Sequence, residues 1–153
     1  MRKPLLRMER TDDYDAIVKF LIDNDLEFGD EEEDSDPHPA EVLRCWQVLH
    51  GEEKHMCAAC VLAKKEGKFI IDGIAVEKIY RGMGIGKILM NKAVETVREM
   101  GGTELYLNAR EPGFYFALGF KEADKDMAPH FYECMNCPQY GRGCDPKIMV
   151  LEV

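Results

Sequence analysis

Apolar and polar residues alternate along this chain with two different periods. Residues 14–26 carry apolar side chains at helical spacing, which predicts an amphipathic helix with Thr11 as a candidate N-cap. Three shorter apolar runs, at 42–49, 55–64 and 69–76, are separated by turn residues. Runs of this length and separation predict an antiparallel meander of three strands.

A glycine-rich loop and a second helix follow the third run. Arg81 and three alternate glycines, Gly82, Gly84 and Gly86, lead into a segment of helical spacing. Its apolar side is predicted to hold Ile85, Ile88, Leu89, Ala93, Val97 and Met100, and Gly101 is predicted to end the helix at the C′ position. The next apolar run, at 103–108, predicts a strand. A helix that connects two strands in this way predicts that the two strands lie parallel in one sheet.

Short elements complete the pattern at both ends of the chain. A first strand is expected at 5–10, a short helix at 112–118 and a strand at 120–122. The last run, 147–153, is rich in Ile, Met, Val and Leu without clear alternation. This composition predicts a terminal strand that is buried on both faces.

The glycine loop predicts an anion site, most simply for phosphate. Glycines leave no side chains in front of the backbone amides, and the first N–H groups of a helix are unpaired and favour negative charge. The letters do not fit a P-loop, because Ile88 follows Lys87 where that loop needs Ser or Thr. The dinucleotide fingerprint also fails, since its third glycine falls on Lys87 or Leu89.

Two motifs together resemble the GNAT superfamily of N-acetyltransferases. Arg81, Gly84 and Gly86 match the Arg-x-x-Gly-x-Gly form of that family's pyrophosphate loop, and residues 114–120, Phe-Tyr-Phe-Ala-Leu-Gly-Phe, look like its Phe-Tyr-x-x-Leu-Gly-Phe segment. The resemblance implies an α/β (α+β) fold with a mixed, mostly antiparallel sheet of about seven strands and helices on both faces. It also implies transfer of an acetyl group from acetyl-CoA to a primary amine by direct attack in a ternary complex.

The resemblance also implies where acetyl-CoA binds. The strand that ends at Val76 is expected to splay from the strand at 105–107, with the pantetheine arm between them and one backbone N–H near the thioester oxygen. Tyr115 matches the family's general acid, which protonates the departing thiolate. The implied coenzyme contacts are Ile74, Ala75, Val76, Arg81, Gly82, Met83, Gly84, Ile85, Gly86, Lys87 and Asn108.

Asp72 is the preferred candidate for the general base. A carboxylate inside an apolar strand needs a partner or a water channel to offset the cost of its burial. Strand alternation predicts that Asp72 shares a face with Ile74 and Val76, whereas Glu77 ends the strand and is expected to be solvated. A structural hydrogen bond would explain Asp72 equally well.

The six cysteines raise the question of a metal or redox site. Cys57 and Cys60 have Cys-x-x-Cys spacing, but residues three apart in a strand point to opposite faces, which favours two buried thiols. Within the cysteine-rich loop 124–146, a structural zinc knuckle remains an alternative to a loop that borders the substrate pocket. The candidate zinc ligands are His130, Cys134, Cys137 and Cys144.

Length and charge narrow the functional classes. A chain of 153 residues suits one domain, here 1–153, and a net charge of −9 argues against nucleic acid as a partner. Six acidic residues fall within 30–36, in a predicted acidic loop at 27–40. The sequence shows neither a signal peptide nor a membrane span, so a cytoplasmic protein without a membrane partner is expected. A monomer or a homodimer is expected.

The motifs do not identify the molecule that accepts the acetyl group. A small-molecule amine or a peptide amine would suit them equally. Two other readings remain: a non-catalytic coenzyme A-binding or sensor domain, and an interaction module that uses the cysteine-rich loop to bind metal.

Overall fold

The apolar runs assemble into one seven-stranded sheet in a computed structural model, which describes residues 5–24, 40–109, 112–124, 126, 128–129 and 147–153. The strands lie in the order β1-β2-β3-β4-β5-β7-β6, and neighbours are antiparallel except for the parallel pair β4 and β5. The predicted mixed, mostly antiparallel sheet is therefore confirmed. The strands are β1 (Leu6–Thr11), β2 (Glu41–His50), β3 (His55–Lys65), β4 (Lys68–Val76), β5 (Glu104–Ala109), β6 (Lys121–Glu122) and β7 (Lys147–Glu152).

Helices cover both faces of this sheet, as predicted. The helices are α1 (Tyr14–Asp23), α2 (Ile85–Glu99) and α3 (Pro112–Ala117), and a 3-10 turn spans Lys78–Tyr80. Strand and helix bounds differ from the predicted ones by at most one residue, except that α1 ends three residues early. There Asn24 caps the helix, with its Nδ2 donating to the Phe20 carbonyl at 2.8 Å.

Helix α1 lies on one face of the sheet, called the α1 face below. Helical spacing predicts an apolar stripe of Ile17, Val18, Leu21 and Ile22, but Ile22 is 48% exposed and Phe20 takes part in the stripe instead. The buried residues of the helix are Ile17, Phe20 and Leu21. They form one cluster with side chains from three strands, namely Cys45, Ala59, Val61 and Ala75.

Helix α2 packs on the opposite face, called the α2 face below, against Leu62, Ile71 and Leu105 among others. Helix α3 lies on the same side, since Tyr115 packs against that cluster. The predicted apolar stripe of α2 was wrong at its edges: Ile88 and Met100 are 52% and 39% exposed. The buried stripe is rotated around the helix axis relative to the predicted one. Its residues are Ile85, Leu89, Met90, Ala93, Val94, Thr96 and Val97.

The helix ends show which residues set the boundaries. The predicted N-cap of α1, Thr11, was wrong, because Thr11 ends β1 and Asp13 caps the helix by accepting from the Ala16 N–H at 3.1 Å. Helix α2 ends as predicted at Gly101, which has a φ of 81°. The bonds from Gly101 N to Arg98 O and from Gly102 N to Val97 O form a Schellman motif.

The last strand, β7, lies between β5 and β6 and packs on both faces of the sheet. Met149 is buried in the cluster on the α2 face, whereas Val150 is buried on the other side with Tyr106. The expectation of a terminal strand buried on both faces is confirmed. No helix in the described part of the chain is both long and apolar enough to cross a membrane.

Two segments singled out in the sequence fall mostly outside the described residues. Of the acidic loop 27–40 the structure describes Ala40, and of the cysteine-rich loop 124–146 it describes 124, 126 and 128–129. The four candidate zinc ligands, His130, Cys134, Cys137 and Cys144, lie outside the described residues.

The packing of α2 predicts a difference between two neighbouring residues. Leu89 is fully buried, so Leu89→Ala should lower the free energy of unfolding by about 2–5 kcal/mol through lost transfer energy and a residual cavity. Ile88→Ala is the matched control, since Ile88 is half exposed in the same helix, and should cost less than about 1 kcal/mol. Urea unfolding of both variants measures the difference, and equal losses would contradict this packing of α2.

Candidate active site

The parallel strands β4 and β5 separate after a short contact. Within the described residues they pair at Phe69 with Leu105 and at Ile70 with Tyr106, and both strands then continue without pairing to each other. A cavity of about 610 Å³ occupies this region. The splaying of the two strands, which the resemblance implied, is present in the structure.

An extra residue in β4 lies where the strands part. Val61 of β3 lies opposite Gly73, and the next residue, Leu62, lies opposite Ile71, so Asp72 is an extra residue of β4 between these two pairs. One additional residue of this kind is a β-bulge, which bends its strand and increases the local twist. The bulge therefore turns the end of β4 away from β5.

The bulge overturns the prediction that Asp72 shares a face with Ile74 and Val76. Ile71 and Ile74 both contact the cluster on the α2 face although they are three residues apart, because the bulge resets the alternation. Asp72 instead lies on the α1 face, near the thiol of Cys45. Burial raises the pKa of that thiol above its ordinary value, and the nearby carboxylates of Asp12 and Asp72 raise it further.

The backbone of β4 presents alternate residues to the gap. The Glu77 N–H donates to the Cys57 carbonyl at 2.8 Å, and hydrogen-bonded pairs alternate along an antiparallel ladder. Ala75 therefore bonds to β3, whereas the N–H and C=O groups of Ile74 and Val76 are directed towards the gap. The Val76 carbonyl confirms this direction, because it accepts from Arg81 Nε at 3.1 Å.

The glycine loop closes one end of the cavity. Gly82 and Gly84 have φ values of 85° and 81°, which strongly favour glycine, and Gly84 is the N-cap of α2. The first amides of α2 have no partners inside the helix, and those of Ile85, Gly86 and Lys87 belong to residues that line the cavity.

Most predicted coenzyme contacts converge on this cavity. Met83 is the exception, because it does not line the cavity and is 52% exposed. The predicted site residues that line it are Asp72, Ile74, Ala75, Val76, Arg81, Gly82, Gly84, Ile85, Gly86, Lys87, Asn108 and Tyr115.

Helix α3 and the end of β5 form the opposite wall. The Tyr115 ring contacts Phe114 and Phe120 edge to face, with centroids 5.1 Å and 5.8 Å away. Asn108 lies opposite Ile148 and so faces the α1 side of the sheet. Its Oδ1 atom is buried and has no hydrogen-bond partner among the described residues, so an N–H donor from a ligand would suit it.

The cavity therefore has two different sides. Its α1 side carries Asn24, Asp72 and Asn108, and its α2 side carries the glycine loop and Tyr115. Asn24 and Tyr80 also line the cavity, although neither was predicted from the sequence. No motif surrounds Asn24 in the sequence. Tyr80 directly precedes Arg81, so the glycine-loop motif was a sequence signal for Tyr80.

The cysteine pair in β3 is buried, as predicted, but not on opposite faces. Cys57 is an extra residue between the pairs Val48 with Ala58 and Leu49 with Met56. This second bulge places Cys57 and Cys60 in one apolar cluster as free thiols. Burial raises the pKa of both thiols, which favours the unreactive protonated form. The described residues contain no group of three or more candidate metal ligands.

Comparison with known proteins gives a family match. The family model described as acetyltransferase (GNAT) family matches residues 8–120. An uncharacterized N-acetyltransferase of Chlorobaculum tepidum is 34% identical over 82 residues, a match that spans 52% of this chain and 52% of that protein. The chain thus covers about half the length of this relative.

Solved structures share the fold over almost the whole chain. A GNAT-family acetyltransferase from Staphylococcus aureus superposes with a TM-score of 0.68 at 15% identity, covering 97% of this chain and 99% of that one. The ribosomal-protein-S18-alanine N-acetyltransferase of Escherichia coli gives 0.67 at 18% identity, covering 97% and 94%. A Bacillus subtilis acetyltransferase in complex with CoA gives 0.65 at 18% identity, covering 97% and 99%.

Proposed function

Because this chain belongs to the acetyltransferase (GNAT) family, we propose that it transfers the acetyl group of acetyl-CoA to a primary amine by direct attack in a ternary complex. The observation that carries the proposal is the gap between β4 and β5, which has a phosphate-type loop at one end and two polar side chains, Asp72 and Asn108, on its α1 side. A gap of this kind admits a long, thin molecule that ends in a reactive group.

The loop residues fit the coenzyme's pyrophosphate. Arg81 and Lys87 are cations at the mouth of the cavity, and the amides that follow Gly84 add the positive end of the α2 dipole. Arg81 has a second role in this proposal: its Nε already holds the Val76 carbonyl, which leaves the other guanidinium nitrogens for phosphate.

The edge of β4 fits the pantetheine arm. The N–H and C=O groups of Ile74 and Val76 match the amide groups of an extended chain, and one of the two N–H groups stabilises the thioester oxygen as it gains charge. The buried Oδ1 of Asn108 accepts from an N–H group of either the arm or the amine. Ala75, which was an expected coenzyme contact, also lines the cavity, but its backbone N–H and C=O groups bond to β3.

The proposed chemistry needs two proton transfers. Acetyl-CoA supplies a thioester whose carbonyl carbon is open to attack by an amine nitrogen, so that a C–N bond forms and the C–S bond breaks. Asp72 takes the proton that the amine nitrogen loses, directly or through water, and Tyr115 donates its phenolic proton to the sulfur that leaves. Both side chains line the cavity, Asp72 on the α1 side and Tyr115 on the α2 side.

Their placement supports a proposed direction of approach for each of the two substrates. The coenzyme enters past the glycine loop on the α2 side, and the amine approaches from the α1 side, where Asp72 and Asn24 lie. The acceptor is proposed to be a small-molecule or peptide amine. The family makes this class reasonable, and the E. coli enzyme with this fold is described as acting on an alanine of a ribosomal protein.

Turnover with a panel of primary amines tests the proposal directly. The purified protein should release coenzyme A thiol from acetyl-CoA faster in the presence of at least one amine than without any. Free α-amino peptides, lysine peptides, polyamines and amino acids cover the main acceptor classes. Binding of coenzyme A without amine-dependent release would support a non-catalytic coenzyme A-binding domain instead.

Replacing the proposed acid or base should slow transfer without loss of coenzyme affinity. Tyr115→Phe and Asp72→Asn should each lower kcat at least about tenfold, since a positioned acid or base typically contributes about 10²–10⁴. Tyr106→Phe is a matched control, because the Tyr106 hydroxyl bonds to Glu104 and the residue does not line the cavity. Normal transfer by Tyr115→Phe would remove Tyr115 from the mechanism.

A side chain on the glycine loop should block the coenzyme. Gly84→Val should weaken coenzyme A binding at least about tenfold, or ~1.4 kcal/mol, because its side chain would stand in front of the α2 amides. Gly51→Val is the matched control: Gly51 has a φ of 74°, and both glycines have nothing within 4 Å of an added Cβ. Calorimetric titration should show the loss in Gly84→Val alone, although both variants lose stability from the strained φ. An equal loss of affinity in both would place the coenzyme elsewhere.

A further inference from the structure

A side-chain contact next to the glycine loop has no part in the proposed chemistry. The hydroxyl of Tyr80 lies 2.5 Å from Nδ1 of His50, and the two rings meet edge to face with centroids 5.3 Å apart. The pair is called the His50–Tyr80 contact below. It joins the end of β2 to the 3-10 turn that leads into the loop.

The turn has few other attachments through its own side chains. Ile79 is 80% exposed and Lys78 is also exposed, whereas Tyr80 is half-buried and packs against the cluster on the α2 face. The backbone bonds of the turn are local, from Tyr80 N to Glu77 O and from Arg81 N to Lys78 O. Tyr80 is therefore the residue through which the turn is anchored to the sheet.

The neighbouring strand end supports the same turn. His55 pairs with His50 across the β2–β3 hairpin, and its Nε2 lies 3.1 Å from a carboxylate oxygen of Glu77, the residue before the turn. Its ring lies 6.1 Å from the Tyr80 ring. The two histidines thus contact both ends of the turn.

Arg81 transmits the position of the turn to the cavity. Arg81 directly follows Tyr80, lines the cavity and donates to the Val76 carbonyl at 3.1 Å. A turn that shifts would move Arg81 and Gly82 together, because they share one short stretch of backbone. The position of Tyr80 therefore contributes to the position of the loop that faces the phosphates.

The direction of the hydrogen bond between Tyr80 and His50 depends on the tautomer of His50. Burial raises the pKa of Tyr80 above its ordinary value, with further contributions from Cys57 and Glu77, so the hydroxyl stays protonated near neutral pH. It donates to Nδ1 in the His50 tautomer that carries its proton on Nε2.

We propose that His50 is a positioning residue for the coenzyme loop, and that it acts through the hydroxyl of Tyr80 to hold Arg81 and Gly82 where they meet the coenzyme's phosphates. The inference rests on the proposed function, since it needs coenzyme A as the ligand of the loop. Coenzyme affinity then falls when the contact is broken, because fewer molecules hold the loop in the competent position.

A double-mutant cycle on the full chain tests this, with coenzyme A as the probe in calorimetric titration. Tyr80→Phe and His50→Phe each keep an aromatic ring and remove the hydrogen bond. Each should weaken coenzyme A binding about threefold to tenfold, the effect of one lost hydrogen bond. The double variant should bind no more weakly than the weaker single variant, since both changes remove the same bond. His50→Asn, which retains a polar atom near the position of Nδ1, should recover most of the affinity.

A second variant separates this role from general stability. Gln47→Met removes another side-chain hydrogen bond of β2, from Gln47 Nε2 to Glu9 at 2.9 Å, far from the loop in sequence. It should lower the melting temperature without changing the affinity for coenzyme A. Affinities within twofold of the wild type for Tyr80→Phe and His50→Phe, additive losses, or an equal loss in Gln47→Met would each overturn the inference. A wild-type chain that does not bind coenzyme A would instead overturn the proposed function.

Discussion

The parting of β4 from β5 is the constraint on which the rest of this structure depends. A single extra residue, Asp72, bends β4 after two paired positions and leaves a gap in the middle of a sheet. The backbone groups of Ile74 and Val76 then face a cavity instead of another strand. Everything else at the site is placed relative to this gap: the glycine loop at its end, α3 over one side and the end of α1 over the other.

The bulge has a second effect, on the distribution of chemistry between the two faces. By resetting the alternation it keeps Ile71, Ile74 and Val76 on the α2 face and turns the Asp72 carboxylate towards α1. Asn108 reaches the same side from β5 through ordinary alternation. The side chains of Asp72 and Asn108 are thereby separated from the apolar side chains of β4 by the thickness of the sheet.

The sequence predicted the elements well because their signals are local. Hydrophobic period, the Gly101 stop signal and the strand, loop and helix around Arg81 all depend on neighbouring residues, and the structure confirms them. The motifs also identified most of the residues that line the cavity. The family resemblance rests on two short motifs. One forms the loop before α2, and the other begins in α3.

The predictions that were wrong concern features that arise only from pairing between strands. The bulge at Cys57 has no mark in its own strand, because a bulge is defined by what lies opposite. The bulge at Asp72 has one, since Gly73 beside it is a residue that often marks a bulge inside a strand. Both face assignments, for Asp72 and for Cys57 with Cys60, therefore failed. The stripe of α2 was misjudged at Ile88 for a related reason, since the rotation of a helix on a sheet is set by packing.

The open edge of β4 also bears on how a sheet shields its unpaired backbone groups. Unpaired strand edges are templates on which other chains add strands, and soluble proteins usually shield them with charge, bulges or covering elements. Here the backbone groups of β4 that face the gap lie inside the sheet, opposite β5. The glycine loop and α3 line the same cavity. The fold thus keeps these hydrogen-bonding groups in a cavity between two of its own strands and not at an outer edge of the sheet.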